Sequence, residues 1–487
     1  MNVQIKVLRV PKQAQLWLLL FIVPALTGNG SVETYTLNRL LTNARATSPV
    51  MDIARAKLSK FEAIFDRAYY AWSPVLKVDA LMAPLPERRI LNRCVDPTLV
   101  DPTTGLAQVI PCPGQNLQQD ERITADTDIG LLIRTGVEVT FPIYTFGKIA
   151  HGQEAARAGI DVGRSGVDYA RSELEFLVKK AYYGVQMADS ALGVLKDGRK
   201  RMAKAKKSIE KELAADTGRF TSNDLRKLLV DEAELESRFL ETEALSAEAW
   251  TGIRLAADVA QETNVRLDTM KLVPVSTEVR TLAEYLELAY DARPDVRMAR
   301  AAVRARQSEV NMAVANFLPD IALVGGFRYA KGTTADDPLD PFANDGYNYL
   351  GWGVVIGAKW KLDYAVLVSR YREKAARLEQ QKAEHEALLQ KVKLETVSLV
   401  GDMERRKKET NVRRLAMKAA KAWLISNTLN FGLGVATVDQ LLRSLIAYSK
   451  ARLGYYRVIY EYNLAVARLS KALGVELSVP ARKQTKR

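Results

Sequence analysis

Two stretches of the chain alternate between apolar and polar residues, which is the pattern of a β-strand with two different faces. In the first, odd positions from 129 to 141 are mostly apolar, and the even positions other than 132 hold glycine, arginine, glutamate or threonine. In the second, even positions from 350 to 362 are apolar and odd positions hold mostly glycine and lysine. Shorter alternating segments follow Pro74 and Pro319. The pattern predicts four strands, at 75–83, 129–142, 320–331 and 349–362.

The two longer strands have the length of membrane strands, which need roughly 9 to 11 tilted residues. Alternation alone also fits a sheet packed on the core of a soluble protein. Four strands cannot close a barrel, so the membrane interpretation requires several protomers to share one barrel. Aromatic residues cluster near the strand ends, where an aromatic girdle lies in a membrane barrel: Tyr144, Phe146, Tyr347, Tyr349, Trp360 and Tyr364.

Most of the remaining chain has the spacing of long helices. Between 148 and 215 there is no proline, and apolar residues recur three, four or seven positions apart, which predicts one rod about 100 Å long that pairs with a neighbour. The predicted helices are 36–73, 148–215, 221–266, 281–317, 366–429 and 437–473. Each long pair turns at a glycine-containing break, where glycine permits a left-handed residue and threonine caps the next helix. The two breaks are Gly218, Arg219, Phe220, Thr221 and Gly434, Val435, Ala436, Thr437.

The chain repeats itself once. Residues matched at one constant offset include two prolines that punctuate helices, which predicts a tandem duplication. The first repeat is 31–276, the second is 277–476, and a basic tail fills 477–487. The matched positions are Thr36, Leu37, Leu41, Ala44, Pro49, Ala54, Arg55, Ala56 and Pro74, which recur as Thr281, Leu282, Leu286, Ala289, Pro294, Ala299, Arg300, Ala301 and Pro319.

The first 30 residues have the pattern of a secretory signal peptide. Basic residues precede an unbroken apolar run at 16–23, and small residues follow at 25–30. An amphipathic first helix is the alternative, but the apolar run has no polar face. The pattern predicts export of the mature chain without a lipid anchor, since no cysteine lies near the expected cleavage site.

Composition narrows the possible chemistry. The chain has two histidines, two cysteines and a formal net charge of +14. A histidine or cysteine zinc cluster and a histidine-based triad therefore lack candidates, and we expect no enzyme, metal or cofactor. Basic and acidic residues are mixed along the chain, which argues against nucleic acid as a partner. Cys94 and Cys112 lie in a proline-rich segment at 83–128 that is predicted to be a loop, and an oxidising compartment favours a disulfide between them.

These features together resemble the TolC-like outer-membrane efflux proteins. The resemblance rests most on three motifs: Arg293-Pro294-Asp295-Val296 through Leu318-Pro319, Gly434 to Asp439, and Tyr462-Asn463-Leu464-Ala465 through Leu473-Gly474. It implies an α+β membrane protein with duplicated halves, in which three protomers form a shared 12-stranded barrel in the bacterial outer membrane and a helical tunnel of antiparallel coiled coils in the periplasm. It further implies a passive duct that serves an inner-membrane pump or ABC exporter through a periplasmic adaptor.

The resemblance also assigns roles to residues. The adaptor would contact the eight tip residues named above. Constriction candidates are Asn223, Asp224 and Asp439; a threefold ring of Asp439 would restrict the entrance, or Asp439 is simply a helix N-terminal acid favoured by the dipole. The residues expected to line the barrel lumen are Lys77, Asp79, Arg134, Glu138, Arg328, Lys359 and Lys361.

A periplasmic coiled-coil scaffold or adaptor without a pore is the alternative function. It would share the long helices, but it has no need of alternating strands with aromatic ends, so the strands favour the duct. The cargo stays open between drugs, metal ions and secreted polypeptides.

Overall fold

The structure is a computed structural model that describes residues 33–103, 107–110, 118–215, 218–257, 265–278, 280–335 and 346–478. For 33, 88–99, 107–110, 118–127, 256–257 and 265 only the backbone is described. The predicted signal peptide at 1–30, most of the basic tail and the predicted Cys94–Cys112 disulfide therefore lie outside the described residues.

The first half of the chain contains two short helices, a β-hairpin and two long helices. Thr36 accepts a hydrogen bond from the Arg39 amide and so caps the first helix, and Pro49 opens the second, where a missing N–H costs nothing. The elements are β1 (Glu33–Tyr35), α1 (Leu37–Thr47), α2 (Pro49–Tyr69), β2 (Val75–Val100), β3 (Ala107–Ile110), β4 (Gln118–Tyr144), α3 (Lys148–Ala214) and α4 (Ser222–Ala257).

The second half has the same order of elements, after a linker that contains one short strand. A capping box between Thr281 and Glu284 starts its first helix, and Pro294 starts its second. The elements are β5 (Val265–Leu267), α5 (Leu282–Ala292), α6 (Pro294–Ala315), β6 (Asp320–Gly332), β7 (Tyr349–Lys359), α7 (Tyr364–Gly432) and α8 (Val438–Leu473).

Four long helices form the body of the molecule. Helices α3 and α7 have 67 and 69 residues, or about 100 Å each, and α4 and α8 have 36 residues each. Helices α4 and α8 accompany the ends of α3 and α7 that lie far from the sheet, while α2 and α6 pack on the ends near the sheet. Gly163 permits this close packing, because a Cβ there would lie 3.0 Å from side-chain carbons of Leu58 and Phe61.

The sheet is antiparallel, with strand order β3-β2-β4-β6-β7. Strand β6 ends one residue later than predicted and β7 three residues earlier, but β2 and β4 run for 26 and 27 residues. The sequence predicts a loop from residue 83, whereas the ladder between β2 and β4 continues to the pair Val95 and Gln118 after a register shift at Pro86. Proline lacks the N–H of a ladder bond and is tolerated on a strand with an unpaired edge or at a bulge. The strands are therefore longer than the alternation predicts.

The linker between the halves is fixed across the middle of the helical body. Strand β5 pairs with β1 in a parallel two-stranded sheet. The buried Asn463 side chain accepts a hydrogen bond from the Val275 amide and donates one to the Val273 carbonyl, both at 2.9 Å. Gln186 on α3 donates to the Thr269 carbonyl at 2.7 Å. These bonds satisfy linker backbone groups that would otherwise be buried without partners. The sequence predicts a helix through residue 266, but residues 265 and 266 lie in strand β5, and the described helix is α4, Ser222–Ala257.

Candidate functional site

The sheet has one polar and one apolar face, and the register of the strands defines both. Opposite residues in an antiparallel ladder point to the same side. Lys77 pairs with Glu138, and Asp79 pairs with Gly136, which in turn pairs with Arg328. Counting in steps of two along each strand then places six of the predicted lumen residues on one face: Lys77, Asp79, Arg134, Glu138, Arg328 and Lys359. Lys361 lies two residues beyond the end of β7 and forms an ion pair with Asp363.

The opposite face is apolar and exposed. Trp352 on β7 is 81% exposed, and its ladder neighbour Phe327 on β6 is 44% exposed. Other exposed members are Leu76, Val78, Met82, Ile133, Val139, Leu323, Tyr329, Leu350, Val354 and Ile356. An apolar surface of this extent is typical of a face that meets lipid or a protein partner. Among the described residues, no helix is both long enough and apolar enough to cross a membrane.

Aromatic side chains surround the junction of the sheet with the helices. Trp360 donates a hydrogen bond from its indole nitrogen to the Phe317 carbonyl at 3.0 Å. The rings of Tyr144 and Phe146 lie 4.6 Å apart, edge to face. Tyr364 packs on Phe317 and is largely exposed. Their apolar bodies and polar tips suit a boundary between an apolar and an aqueous phase.

The second helical tip, between α7 and α8, is a left-handed turn followed by a cap. Gly434 has φ +81°, and the amides of Val435 and Ala436 both donate to the Asn430 carbonyl. Thr437 and Gln440 form a reciprocal capping box at the start of α8. The carbonyls and amides left over at the two helix ends are satisfied in this way.

The first tip, between α3 and α4, also has a left-handed glycine and a reciprocal cap. Its capping partner is Asp224, whose side chain is shorter than that of Gln440 in the second tip. Gly218 has φ +69°. Thr221 accepts a hydrogen bond from the Asp224 amide at 3.3 Å, and the Asp224 carboxylate accepts from the Thr221 amide at 2.9 Å. Asp224, which the sequence suggests as a constriction residue, therefore caps α4. Asn223 accepts a hydrogen bond from Arg226 one turn further along.

Contacts between the two tips join the two helical hairpins. The rings of Phe220 and Phe431 stack with centroids 5.4 Å apart, and both side chains are buried. The Arg219 guanidinium lies over both rings and donates to the Phe431 carbonyl. Cation–π and charge-assisted bonds of this kind strengthen when they are shielded from water.

Asp439, the main constriction candidate, is already engaged in ion pairs. It pairs with Lys227 from the other hairpin and with Arg443 one turn later on its own helix, the latter at 2.6 Å. Its carboxylate therefore joins the two hairpins, a role that the sequence alone does not reveal. Lys227 lies on a charged helix, where nothing in the local pattern distinguishes it from its neighbours.

The second half of the chain matches a known protein family. A model of the outer membrane efflux protein family matches residues 285–475. Residues 285–475 are an outer membrane efflux protein domain. The domain spans α5 and α6, the β6–β7 hairpin, α7, the second tip and α8. The family predicted from the sequence is thus confirmed for residues 285–475.

Solved structures with this fold cover nearly the whole chain. The outer-membrane channel OprN is 16% identical with a TM-score of 0.70, over 90% of this chain and 89% of that one. The CmeC outer membrane channel of Campylobacter jejuni is 12% identical with a TM-score of 0.68, over 93% and 87%. The open state of the MtrE outer membrane channel of Neisseria gonorrhoeae is 16% identical with a TM-score of 0.68, over 91% and 89%. No curated protein matches the chain in sequence.

The structure adds contacts at the tips and at the sheet that sequence reasoning missed. Phe431 precedes the second glycine turn and was not a candidate, yet it meets Phe220 and Arg219. Lys148, at the start of α3, donates to Asp320 and to the Leu318 carbonyl, both at 2.8 Å, and so joins the helices to the sheet. The available signal for Phe431 was its place three residues before Gly434, where an apolar residue commonly accompanies a helix-ending turn.

Proposed function

We propose that the protein is the outer-membrane exit duct of a tripartite efflux or type I secretion system. The observation that carries this is the two-faced sheet, apolar and exposed on one side and charged on the other, joined to helical rods about 100 Å long. Such a sheet suits the wall of a water-filled barrel, with lipid outside. The family of residues 285–475 and the whole-chain fold support the same role.

Three protomers would complete the barrel. Within the described residues, the outer edge of β7 has no partner, and β2 has a partner on its second side only near its far end. A sheet edge in hydrocarbon leaves backbone groups unsatisfied at a cost of several kcal/mol per group. Pairing β2 of one copy with β7 of the next would remove both edges, and three copies of four strands give the twelve-stranded barrel that the resemblance implies.

The polar face would then line the lumen, and some of its charged residues form ion pairs within the protomer. Lys77 and Glu138 form an ion pair at 3.3 Å, and Asp320 is paired with Lys148. Among the other charged residues assigned to this face, Arg134, Arg328 and Lys359 outnumber Asp79, so the lumen has an excess of positive charge. A weak preference for anions follows, since rings of like charge favour counter-ions in a pore.

The helical tips would form the periplasmic entrance. In the proposed mechanism an adaptor, driven by an inner-membrane pump or ABC exporter, contacts the two tip segments and separates the hairpins. The contacts to be broken are the Phe220–Phe431 stack, the Arg219 bond to the Phe431 carbonyl and the Lys227–Asp439 pair. Leu433 and Val435 on the second tip are 78% and 75% exposed, which makes them available for an adaptor. The duct itself is passive.

The test is single-channel recording of the purified, detergent-extracted protein in a planar bilayer, with oligomer size measured on the same sample. We expect discrete conductance steps from a trimer, and a larger open fraction when Lys227 is changed to glutamine. The matched control is Arg238→Gln, because in the described part of the chain the ion pair of Arg238 is with Glu234 on its own helix. A monomeric protein that never inserts would contradict the proposal and favour the periplasmic scaffold.

A further inference from the structure

The polar face of the sheet becomes apolar and buried at the end far from the helices. Ladder positions place Leu85, Leu132 and Ala330 on the same face as Lys77 and Glu138. All three are buried, and Ala330 is only 1% exposed. The corresponding residues nearer the helices are partly or fully exposed. Something therefore covers the polar face at its far end.

The cover is formed by the residues that directly follow β6 and directly precede β7. The Thr333 amide donates to the Leu131 carbonyl at 3.0 Å, and its hydroxyl accepts from the Leu131 amide at 2.8 Å. Thr334 donates to the Leu85 carbonyl at 3.4 Å. Asn348 accepts from the Gly332 amide and donates to the Ala335 carbonyl, both at 2.9 Å, which holds the two stem segments together. We call residues 333–335 and 346–348 the stem.

Two glycines show that the stem lies on the polar face and not at its rim. The ladder places Gly130 and Gly332 on the polar face. A Cβ at Gly130 would overlap the Thr334 side chain and lie 2.7 Å from the Thr333 hydroxyl oxygen. A Cβ at Gly332 would lie 2.7 Å from a methyl carbon of Leu85. Any side chain at Gly130 would thus occupy the space that the stem fills.

Arg134 on β4 binds the stem through a hydrogen bond across the polar face. Its guanidinium donates to the Gly346 carbonyl at 3.2 Å, across the polar face from β4. The Nε atom of Arg134 is buried and has no hydrogen-bond partner among the described residues. A donor buried without a partner costs free energy, so this arginine is held in place by its other contacts. Arg328, on the neighbouring strand and the same face, makes no contact of this kind in the described part of the chain.

We infer that the stem forms a second, outer constriction of the duct, in which Arg134 is a positioning residue. The inference rests on the proposed function, because it takes the polar face as the lumen. Repeated in every protomer, Thr333 and Thr334 would narrow the lumen at the end opposite the helical tips. The outer constriction would select solutes by size and offer hydroxyls in place of charge, independently of whether the tips are open.

The test measures the outer mouth alone. Neutral polyethylene glycols of increasing size are added to the side of the bilayer that faces the sheet, and the largest polymer that enters the lumen and lowers the single-channel conductance is recorded. Arg134→Ala should release the stem and admit polymers about twofold larger in mass, since access depends on pore radius. Arg328→Ala is the matched control, because it removes an arginine from the same face without touching the stem. Equal polymer limits for the two variants would overturn the inference.

A second measurement tests the position of the stem without a channel. In Gly130→Ala the added Cβ would displace Thr333 and Thr334, so the Thr333 amide should exchange its hydrogen faster in the detergent-extracted protein, as measured by mass spectrometry. Gly326→Ala is the control, because Gly326 lies on the same face with open space around it. Unchanged exchange in Gly130→Ala, or equal acceleration in both variants, would overturn the inference. If Gly130→Ala alone accelerates the exchange but the wild-type protein forms no channel, the proposed function fails while the stem position stands.

Discussion

The two helical tips share a backbone solution but differ in the surfaces that they present. Both reverse the chain at a left-handed glycine, with φ +69° at Gly218 and +81° at Gly434, and both cap the next helix with a threonine. At the first tip the residue after the turn, Phe220, is 8% exposed and packs on the other hairpin. At the second tip the flanking Val435 is 75% exposed.

The difference shows that the turn motif fixes the reversal of the chain but not the role of the tip. Three residues at or just after the first tip contact the other hairpin: Arg219, Phe220 and Lys227. The partner groups on the second tip are Phe431 and Asp439, while Leu433 and Val435 of that tip are exposed. We therefore expect the first tip to control how tightly the hairpins are joined, and the second to control what binds from outside.

The largest effect should follow from removing the aromatic stack. Phe431→Ala deletes a buried ring, and substitutions of this kind cost about 3 to 5 kcal/mol. We expect amide hydrogen exchange to accelerate in both tips, because the stack joins them. Leu433→Ala, two residues away and exposed, should change local stability by less than about 0.5 kcal/mol. Similar exchange rates in the two variants would mean that the stack does not join the hairpins.

The glycine turns should tolerate substitution less well than the neighbouring helical glycine. Alanine at Gly218 or Gly434 is forced into a left-handed conformation that costs about 1 to 2 kcal/mol. Alanine at Gly432, which is helical with open space around it, should instead stabilise the end of α7 by up to about 1 kcal/mol. Hydrogen exchange at the helix ends distinguishes the cases. A stabilising Gly434→Ala would show that the turn does not need its left-handed residue.

The ion pair between the tips should contribute less than the stack. Lys227 and Asp439 are both partly exposed, and such pairs contribute roughly 0.2 to 1 kcal/mol. A double-mutant cycle with Lys227→Gln and Asp439→Asn, measured by exchange at the tips, should give a coupling in this range that falls as salt is added. A coupling that does not change with salt would indicate a hydrogen bond without an electrostatic contribution.

The smallest effect is a dependence of local stability on pH, and it arises in the middle of the helical body, outside the tips. Burial raises the pKa of the Glu476 carboxyl, but the Lys179 ammonium and the Ser478 hydroxyl and amide outweigh burial and hold this pKa below its ordinary value. The lowered folded-state pKa means that Glu476 stabilises the fold above the pKa of the unfolded chain, and this contribution is lost as pH falls through the folded value.

Acid should therefore loosen residues 474–478 as the pH falls through this lowered folded-state pKa. Amide exchange of this segment, corrected for the intrinsic effect of pH, should accelerate below the ordinary titration range of glutamate. Glu476→Gln should remove the dependence, and Glu287→Gln on the exposed part of α5 is the control. A pH profile that survives Glu476→Gln would assign the effect to another group.

The sequence predicts the elements whose signal is local. Alternation locates β6 and β7 to within three residues at each end, and the long spacing of apolar residues locates α3, α7 and α8 equally well. It predicts a face for the strands as well, because period two fixes which residues share a side. The extension of β2 beyond residue 83 escapes prediction, because Pro84 and Pro86 suggest a loop and only pairing with β4 reveals a strand.

The contacts between the tips and the stem on the polar face could not be predicted for a different reason. Lys227 and Asp439 are far apart in the chain, as are Arg134 and Gly346, so no local pattern links them. The threonine at position 221 signals a cap, but the sequence does not show that Asp224 would be used for it. Local periodicity therefore gave the elements and the faces, and only the folded structure gave the contacts between them.

Pairing of β1 with β5 places a constraint on the order in which the chain matures. Glu33 pairs with Val265, so the two strands are separated by about 230 residues, and contacts of such long range form late in folding. A chain that crosses a membrane from its first residue would present β1 long before its partner emerges. During that interval the apolar residues around Tyr35 would have no permanent cover, so an exported chain would depend on whatever keeps it from associating with its neighbours.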